Sequence, residues 1–459
     1  MHSRLLRLIL IVSLAKLIGA AYWPVNGEEA LLWANARSGT PLGGADVFSA
    51  LAATLISGTG PLQLLLLRLP GLVATTLCLV PLNILAKMLG RDSRVAGNAW
   101  LALHCVPGIF LASLGWNREG LMLLVGLSSA AAGLAGARGS KRGATMLGWI
   151  AGLSLLVHPL APLTATCALA WPRERGGANP AAPRWRVLQG LLPAILLVDL
   201  INKEASWERV LHLKSSLGIG FDLSALLSFS VDTLLWTGVA FMFLAIRNWS
   251  ELQRKQIQGA LTLRVAAIAP LIVLFYLGCQ GPLDGRLALT SLIVAFLPGL
   301  LSPDLPRSLR HKLARISAGI TLGLMGLVLA ASLLSGLGLP LAELAGNWIE
   351  RTPAARPMTR AMLPDLEQRV PPGTRIGGED SLQAAMFSFL GESLGDPVDL
   401  RWTRPLPSTA LLLLESPEQL QPQAGLYSTT EMLPSVRVPV LGRSDQVLWI
   451  GLAMDPQGD

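Results

Sequence analysis

Apolar runs long enough to cross, or nearly cross, about 30 Å of hydrocarbon recur in this chain as far as position 338. Eleven can be drawn, with edges good to a few residues: 5–22, 62–86, 95–114, 120–137, 144–158, 160–172, 187–201, 224–246, 265–280, 286–302 and 316–338. Composition agrees: 14% of residues are charged, where a soluble domain averages about 25%. The expected architecture is therefore an α-helical polytopic membrane protein. The two shortest runs, 144–158 and 160–172, meet at His158-Pro159 and lie between basic loops. An even number of passes has to separate those loops, so two short helices broken at the proline are expected.

Orientation follows from Lys and Arg, which concentrate in cytoplasmic loops. A cytoplasmic N-terminus places Arg4, Arg7, Lys87, Arg91, Arg94, Arg138, Lys141 and Arg142 inside. Arg173, Arg175, Arg184, Arg186, Arg247, Arg254, Lys255, Arg264, Arg307, Arg310, Lys312 and Arg315 fall on the same side. That accounts for 20 of the 28 basic residues before position 339, an asymmetry large enough to decide the matter. Eleven passes then leave residues 339–459 outside, which for a bacterial inner-membrane protein is the periplasm.

The first run resembles a signal peptide in its basic start and its Gly19-Ala20-Ala21 end. A retained helix is preferred, because removing it would untether the carboxylates just beyond it. Lys16 within this run would cost on the order of 2.5–3.5 kcal/mol at mid-membrane, so it is expected to face a cavity or another helix, or to snorkel to an interface. The four cysteines, Cys78, Cys105, Cys167 and Cys279, are scattered singly through apolar runs without metal-ligand spacing, and read as small core residues.

The net charge of +8 joins two unlike parts: residues 339–459 sum to −6, leaving +14 for residues 1–338. The basic character belongs to the inner membrane face, beside anionic lipid. No basic stretch is interleaved with aromatics as a nucleic-acid binder requires, so nucleic acid is excluded as a partner. The acidic, proline-rich C-terminal part is expected to be a small α/β domain. A helix over Met358–Val370 would end at Pro371-Pro372-Gly373, and a Ser-capped helix would span Ser381–Leu390. Strands are expected at Arg375–Gly377, Leu411–Leu414, Val436–Leu441 and Val447–Leu452. With no Cys, no His and no glycine-rich phosphate loop, this domain suggests a lid or docking platform rather than an independent active site.

On the outer face the acids are Glu28, Glu29, Asp46, Glu119, Asp199, Glu204, Glu208, Asp222 and Asp284. Glu28 and Glu29 lie in Trp23-Pro24-Val25-Asn26-Gly27-Glu28-Glu29-Ala30, just beyond the first run. Glu119 ends the very short connection Trp116-Asn117-Arg118-Glu119, which holds its carboxylate at a helix end. Paired carboxylates there suit general-base work on a hydroxyl or amine. Arg68, Arg118, Lys203, Arg209, Lys214 and Arg286 on the same face suit a phosphate or diphosphate. Any one of these alone is better read as a solvated or headgroup contact; together they describe an outward cleft with a base and an anion clamp.

These residues fall in the order of a known pattern. Gly27-Glu28-Glu29-Ala30-Leu31-Leu32-Trp33-Ala34-Asn35-Ala36 lines up with a D-E-A-x-Y-x-x-x-A run, Arg68-Leu69-Pro70-Gly71 with an R-L-P helix opening, and Glu119-Gly120-Leu121-Met122 with an acid closing a short second loop. Gly152-Leu153-Ser154-Leu155-Leu156-Val157-His158-Pro159 is similar to G-L-x-x-L-T-K-G-P, and Arg286-Leu287-Ala288-Leu289-Thr290 keeps the Arg of R-Y-x-x-P. The chain thus resembles the GT-C fold polytopic glycosyltransferases of family 39 type, which include protein O-mannosyltransferases and the bacterial lipid A aminoarabinose transferase. The matches span residues 1–300, and a periplasmic domain after the last helix also fits. The departures are Glu28 for Asp, His158 for Lys, Leu287 for Tyr, and a first loop that keeps only Thr40-Pro41-Leu42-Gly43-Gly44 where the family carries K-P-P.

The resemblance implies inverting transfer of a sugar from a polyprenyl-phosphate donor to a lipid, glycan or protein acceptor at the outer face, with membrane lipids as surroundings and no cofactor. Glu28 would be the base and Glu119 would orient the acceptor or a partner Arg. Glu29, Arg68, Arg118, His158 and Arg286 would bind substrate, with His158 either a phosphate donor, a second acid/base group or a structural residue at its helix end. No metal-ligand cluster is visible, and metal dependence stays open. Two other classes compete: a catalytically degenerate partner that kept the fold, and a lipid or solute transporter, for which the expected internal repeat of helix bundles is not found.

Overall fold

The computed structural model describes residues 3–22, 25, 27–38, 61–104, 106–112, 117–173, 181–216, 221–238, 259–280, 283 and 285–301, with scattered positions from 319 to 330. In the C-terminal part it describes 363–378, 381–391, 394–395, 397–398, 409–414, 429–438 and 446–454. Contacts divide the chain into two compact units, Met1–Ala20 with Arg68–Leu327, and Ala21–Leu67 with Val328–Asp459. The domain boundary expected at 338/339 lies outside the described residues, as do the basic segments around Arg254 and Arg310.

The first unit is helical. In chain order the helices are α1 (Ser3–Tyr22), α2 (Gly27–Ser38, in the second unit), α3 (Pro61–Leu77), α4 (Leu79–Met88), α5 (Ser93–Leu103), α6 (Pro107–Ala112), α7 (Asn117–Ala137), α8 (Lys141–Leu153), α9 (Trp185–Ser216), α10 (Leu223–Thr237), α11 (Ala260–Gly278) and α12 (Leu289–Leu300). Among the described residues three stretches are long and apolar enough to cross a membrane: Leu64–Met88, Arg118–Ala137 and Ala260–Gly278. The break expected at His158-Pro159 is present, with α8 running into a 3-10 turn, Ser154–Leu156, and resuming as the 3-10 helix Ala161–Arg173.

The pattern of α1 shows how the unit is solvated. Leu5, Ile9, Val12, Lys16 and Ala20 are buried, whereas Leu6, Leu10, Ile11, Leu14, Leu17 and Ile18 are exposed. Residues three and four apart share a helix face, so one stripe enters the core and an equally apolar stripe faces outward. Leu188, Leu192, Leu196 and Leu200 form a second outward ridge on α9. Greasy ridges of this kind belong in lipid, where burial of apolar surface no longer drives helices together and close backbone approach takes over.

That approach is clearest between α8 and α9. A Cβ at Gly148 would come 2.0 Å from Val187 O, one at Gly190 2.0 Å from Thr145 O, and one at Gly152 2.4 Å from Ala194 Cβ. Gly148 and Gly152 on one helix thus mesh with Gly190 and Ala194 on the other, small residues four apart on both sides of one seam. The 3-10 helix lies against α7 in the same way: a Cβ at Gly133 would come 2.4 Å from Cys167 Sγ, and one at Gly136 2.5 Å from the Trp171 ring. Cys167 and Cys78 are buried free thiols.

Among the described residues the second unit holds a five-stranded mixed sheet of order β2-β1-β3-β5-β4. Its strands are β1 (Arg375–Gly378), β2 (Pro397–Val398), β3 (Thr409–Leu414), β4 (Thr429–Val438) and β5 (Gln446–Met454). β1 pairs in parallel with β2 and β3, and β5 pairs antiparallel with β3 and β4, with Leu411 opposite Leu452. The helix expected before Pro371 covers residues 363–369, and α13 spans Ser381–Leu390. Leu363, Leu366, Val370, Ala384 and Phe387 from these helices bury Ile376, Leu411, Ile450 and Leu452 of the sheet.

The α8–α9 seam is directly testable. Gly190→Leu drives a branched side chain into Thr145 O and should cost about 1–3 kcal/mol or more, lowering the unfolding temperature in detergent. Leu192→Ala on the exposed ridge should leave that temperature nearly unchanged. Equal stability of the two variants would refute the seam.

Candidate active site

Two carboxylate groups mark the site residues, one in each unit. The first begins at Gly27. The stretch just beyond the first apolar run is helix α2, with Glu28 and Glu29 in its first turn, where backbone N–H groups and the helix dipole favour negative charge. Glu29 is buried at 3% exposure; the side chain of Glu28 lies outside the described residues. The helix is anchored to the sheet unit. Val25, Ala30, Trp33, Ala34 and Leu67 pack with Ala385 and Met386 of α13, and Trp33 meets Phe389 edge to face with centroids 5.0 Å apart. An aromatic pair of this geometry adds about 0.5–1.5 kcal/mol beyond its area. The segment that bears Glu28 thus belongs to the same compact unit as the C-terminal sheet.

The second group is in the helical unit. Glu119 stands in the first turn of α7 and is 4% exposed. Its Oε1 accepts a charge-assisted hydrogen bond from Arg118 Nη2 at 3.1 Å and lies 3.7 Å from Arg286 Nη1. Its Oε2 accepts no hydrogen bond among the described residues. Arg286 is itself buried, its guanidinium carbon 6.0 Å from the centre of the Trp236 ring. Two guanidiniums thus share one carboxylate oxygen, and the three side chains sum to +1. Among the described residues, Glu119 thus contacts two arginines, Arg118 and Arg286.

The backbone around this trio leaves little freedom. Arg286 rides on the 3-10 turn Gly285–Ala288, and a Cβ at Gly285 would come 2.3 Å from Thr233 N and 2.6 Å from Asp232 Cβ. Thr233 Oγ1 donates to Phe229 O at 2.7 Å and reaches Gly285 O at 3.3 Å, tying the turn to α10. On the other side of Glu119, Gly120 lies against α3: a Cβ there would sit 3.0 Å from Gly71 O and 3.2 Å from Thr75 Cγ2.

Arg68 is fully buried on α3 and its Nη1 donates to Ala20 O of α1. His158 sits half-buried at the helix break, where its Nδ1 accepts from Leu160 N at 3.1 Å. Arg118, with a quarter of its side chain exposed, is the most accessible of the described guanidiniums among Arg68, Arg118 and Arg286. One polar cluster escaped the sequence reading in its details. Lys16 donates to Thr75 and meets His104; the lysine was flagged by its place in an apolar run, but His104 and Thr75 carry no such signal.

No protein-family model matches the chain, and no curated protein is a significant match by sequence. Solved structures do match. The crystal structure of ArnT from Cupriavidus metallidurans bound to undecaprenyl phosphate aligns over 98% of this chain and 98% of its own, with a TM-score of 0.57 at 14% identity. The apo form of the same protein aligns over 97% of each chain with a TM-score of 0.55. The fold is the ArnT fold. The resemblance to GT-C glycosyltransferases read from short motifs thus has its counterpart along nearly the full length of both chains.

The Glu119 trio makes its own prediction. Glu119→Ala removes the acceptor shared by two guanidiniums, and breaking a buried pair costs about 3–5 kcal/mol, so the unfolding temperature in detergent should fall sharply. Glu119→Gln keeps an acceptor oxygen and should fall less. Unchanged stability for Glu119→Ala would show that the trio does not hold Arg286.

Proposed function

We propose that this chain is an integral-membrane glycosyltransferase that moves a sugar from a polyprenyl-phosphate donor to an acceptor. The observation that carries the reading is the end-to-end correspondence of fold with an ArnT crystallised with undecaprenyl phosphate. It is supported by the order of the motifs and by a helical unit whose outer ridges suit lipid. The site lies on the periplasmic face of a bacterial inner membrane, with the N-terminus cytoplasmic, so a lipid-linked donor supplies the sugar without a nucleotide.

Glu28 acts as base. It takes the proton from the acceptor hydroxyl or amine while that atom bonds to the anomeric carbon from the side opposite the phosphate. The bond from the anomeric carbon to the phosphate oxygen breaks, giving inversion, and the lipid phosphate leaves with the electron pair. Arg68, Arg118 and Arg286 neutralise that phosphate, in keeping with the match of guanidinium and phosphate geometry. Glu119 holds Arg118 and Arg286 in place. Glu29 helps to orient the acceptor, and His158 shapes the break beside which the phosphate sits. One feature favours a second reading, a partner that kept the fold without the chemistry: Glu28, His158 and Leu287 stand where the resembled family has Asp, Lys and Tyr.

Glu28→Gln in membranes supplied with polyprenyl-phosphate sugars and candidate acceptors should cut transfer about 10²–10⁴-fold, the usual contribution of a positioned base. Undiminished transfer removes Glu28 as the base. A wild-type chain that binds the lipid phosphate but transfers nothing supports the non-catalytic reading. For topology, Leu400→Cys should label with a membrane-impermeant thiol reagent from outside the inner membrane; labelling only after lysis overturns the eleven-pass arrangement.

A further inference from the structure

The helical unit buries a lysine that the transfer chemistry does not use. Lys16 on α1 is 0% exposed. Its Nζ donates to Thr75 Oγ1 at 2.9 Å and lies 3.1 Å from His104 Nε2 and 5.4 Å from the centre of the Trp100 ring. The direction of each bond follows from chemistry. His104 Nδ1 is 2.7 Å from Trp100 O; a carbonyl only accepts, so Nδ1 carries the hydrogen and Nε2 is left as an acceptor. An ammonium has three donors, and here it finds a hydroxyl, an imidazole nitrogen and an aromatic face. Thr75 Oγ1 passes its own hydrogen to Leu72 O at 3.1 Å, and Trp100 Nε1 donates to Thr75 O at 2.9 Å. Every polar atom of the cluster is thereby engaged, and α1, α3 and α5 are joined at one level.

The cluster is one of two rungs. Four residues along α1 from Lys16 is Ala20, whose carbonyl accepts from Arg68; seven residues back along α3 from Thr75 is Arg68 itself. At 1.5 Å per residue, the rungs sit about 6 Å apart on α1 and about 10 Å apart on α3, with the helices antiparallel. One rung runs from an α1 side chain to α3 and the other from an α3 side chain to the α1 backbone. A slide or rotation of α1 against α3 would break both. Thr75 also turns its methyl toward Gly120, next to Glu119, so the face of α3 that the lysine fixes runs between the two candidate phosphate-binding regions of this unit.

We propose that Lys16, through Thr75 and His104, is a positioning residue for Arg68: it sets the register of α1 on α3 and thereby the place from which the Arg68 guanidinium meets an anionic phosphate. The inference rests on the reading of Arg68 as a phosphate ligand given above. Methionine at position 16 would fill similar volume while stranding a hydroxyl and an imidazole nitrogen in an apolar core; Thr75→Val removes the α3 end of the same rung with almost no change in shape.

The test uses the purified full chain in detergent with undecaprenyl phosphate as the probe. Lys16→Met should weaken binding by about tenfold, within the range of coupled neighbours, and Thr75→Val should weaken it in the same direction; Lys16→Arg, which keeps donors, should restore most of the affinity. In an Arg68→Gln background Lys16→Met should add nothing. Additive losses, or full affinity in Lys16→Met while Arg68→Gln is defective, overturn the inference and leave the function standing. If the wild-type chain does not bind the probe, the function falls, and phenylglyoxal labelling of Arg68 read by mass spectrometry decides the coupling. Labelling should rise several-fold in Lys16→Met; labelling equal to wild type overturns the inference. Should Lys16→Met not fold, Thr75→Val takes its place in each arm.

Discussion

Inside the helical unit a charged side chain has to find its partners within the protein, because neither an apolar core nor lipid supplies one. Lys16, Arg68, Glu119 and Arg286 are all buried there, and each is bound to a specific place in the helix packing. The cost of leaving any of them unsatisfied, several kcal/mol per ion, fixes how the surrounding helices sit. Lys16 ties α1 to α3 and α5; Arg68 repeats the α1–α3 link; Glu119 binds the start of α7 to the 3-10 turn at Arg286. Small residues make these links possible. Gly120 lets α7 approach the Gly71 carbonyl, and Gly285 lets its turn lie on Thr233. Polar satisfaction and close backbone contact are two sides of one packing solution.

The parts legible in the sequence are those with a one-dimensional signature. Apolar run length marked the spans Leu64–Met88, Arg118–Ala137 and Ala260–Gly278, the proline at 159 marked the break after α8, and turn residues with β-branched or leucine-rich runs marked β1, β3 and β5. Order of motifs was enough to reach the fold, at an identity where single side chains are no guide. What stayed hidden has no local signature. Gly148, Gly152 and Gly190 are ordinary glycines until α8 and α9 are laid together. Thr75 and His104 look like residues of an apolar helix until Lys16 is brought beside them. The helix under Glu28 and Glu29 has no such signature either: it packs through Trp33 and its neighbours on α13, a tertiary contact across more than three hundred residues of chain.

The same distinction separates the two carboxylate groups. Glu119 has a described environment that a sequence argument can reach, since an acid in a very short connection has few places to go. Glu28 depends on long-range packing, and its replacement of the Asp in the resembled pattern lengthens the side chain by one methylene in a setting where the backbone beneath it is fixed by another part of the chain. Adjusting to that extra length is a matter for α2 and α13 together.

The attachment of α2 to α13 has a consequence for how such a protein can diversify. A soluble unit that merely capped a membrane core could be exchanged freely, leaving the chemistry behind. Here the carboxylate helix and the sheet unit are one rigid inheritance: recombination that swaps the tail of the chain without the segment after α1 would mismatch Trp33 with its bed on Phe389. Change at this seam thus requires two distant stretches of sequence to vary in concert, and covariation between residues near 33 and residues near 386 is the genetic trace that this packing would leave.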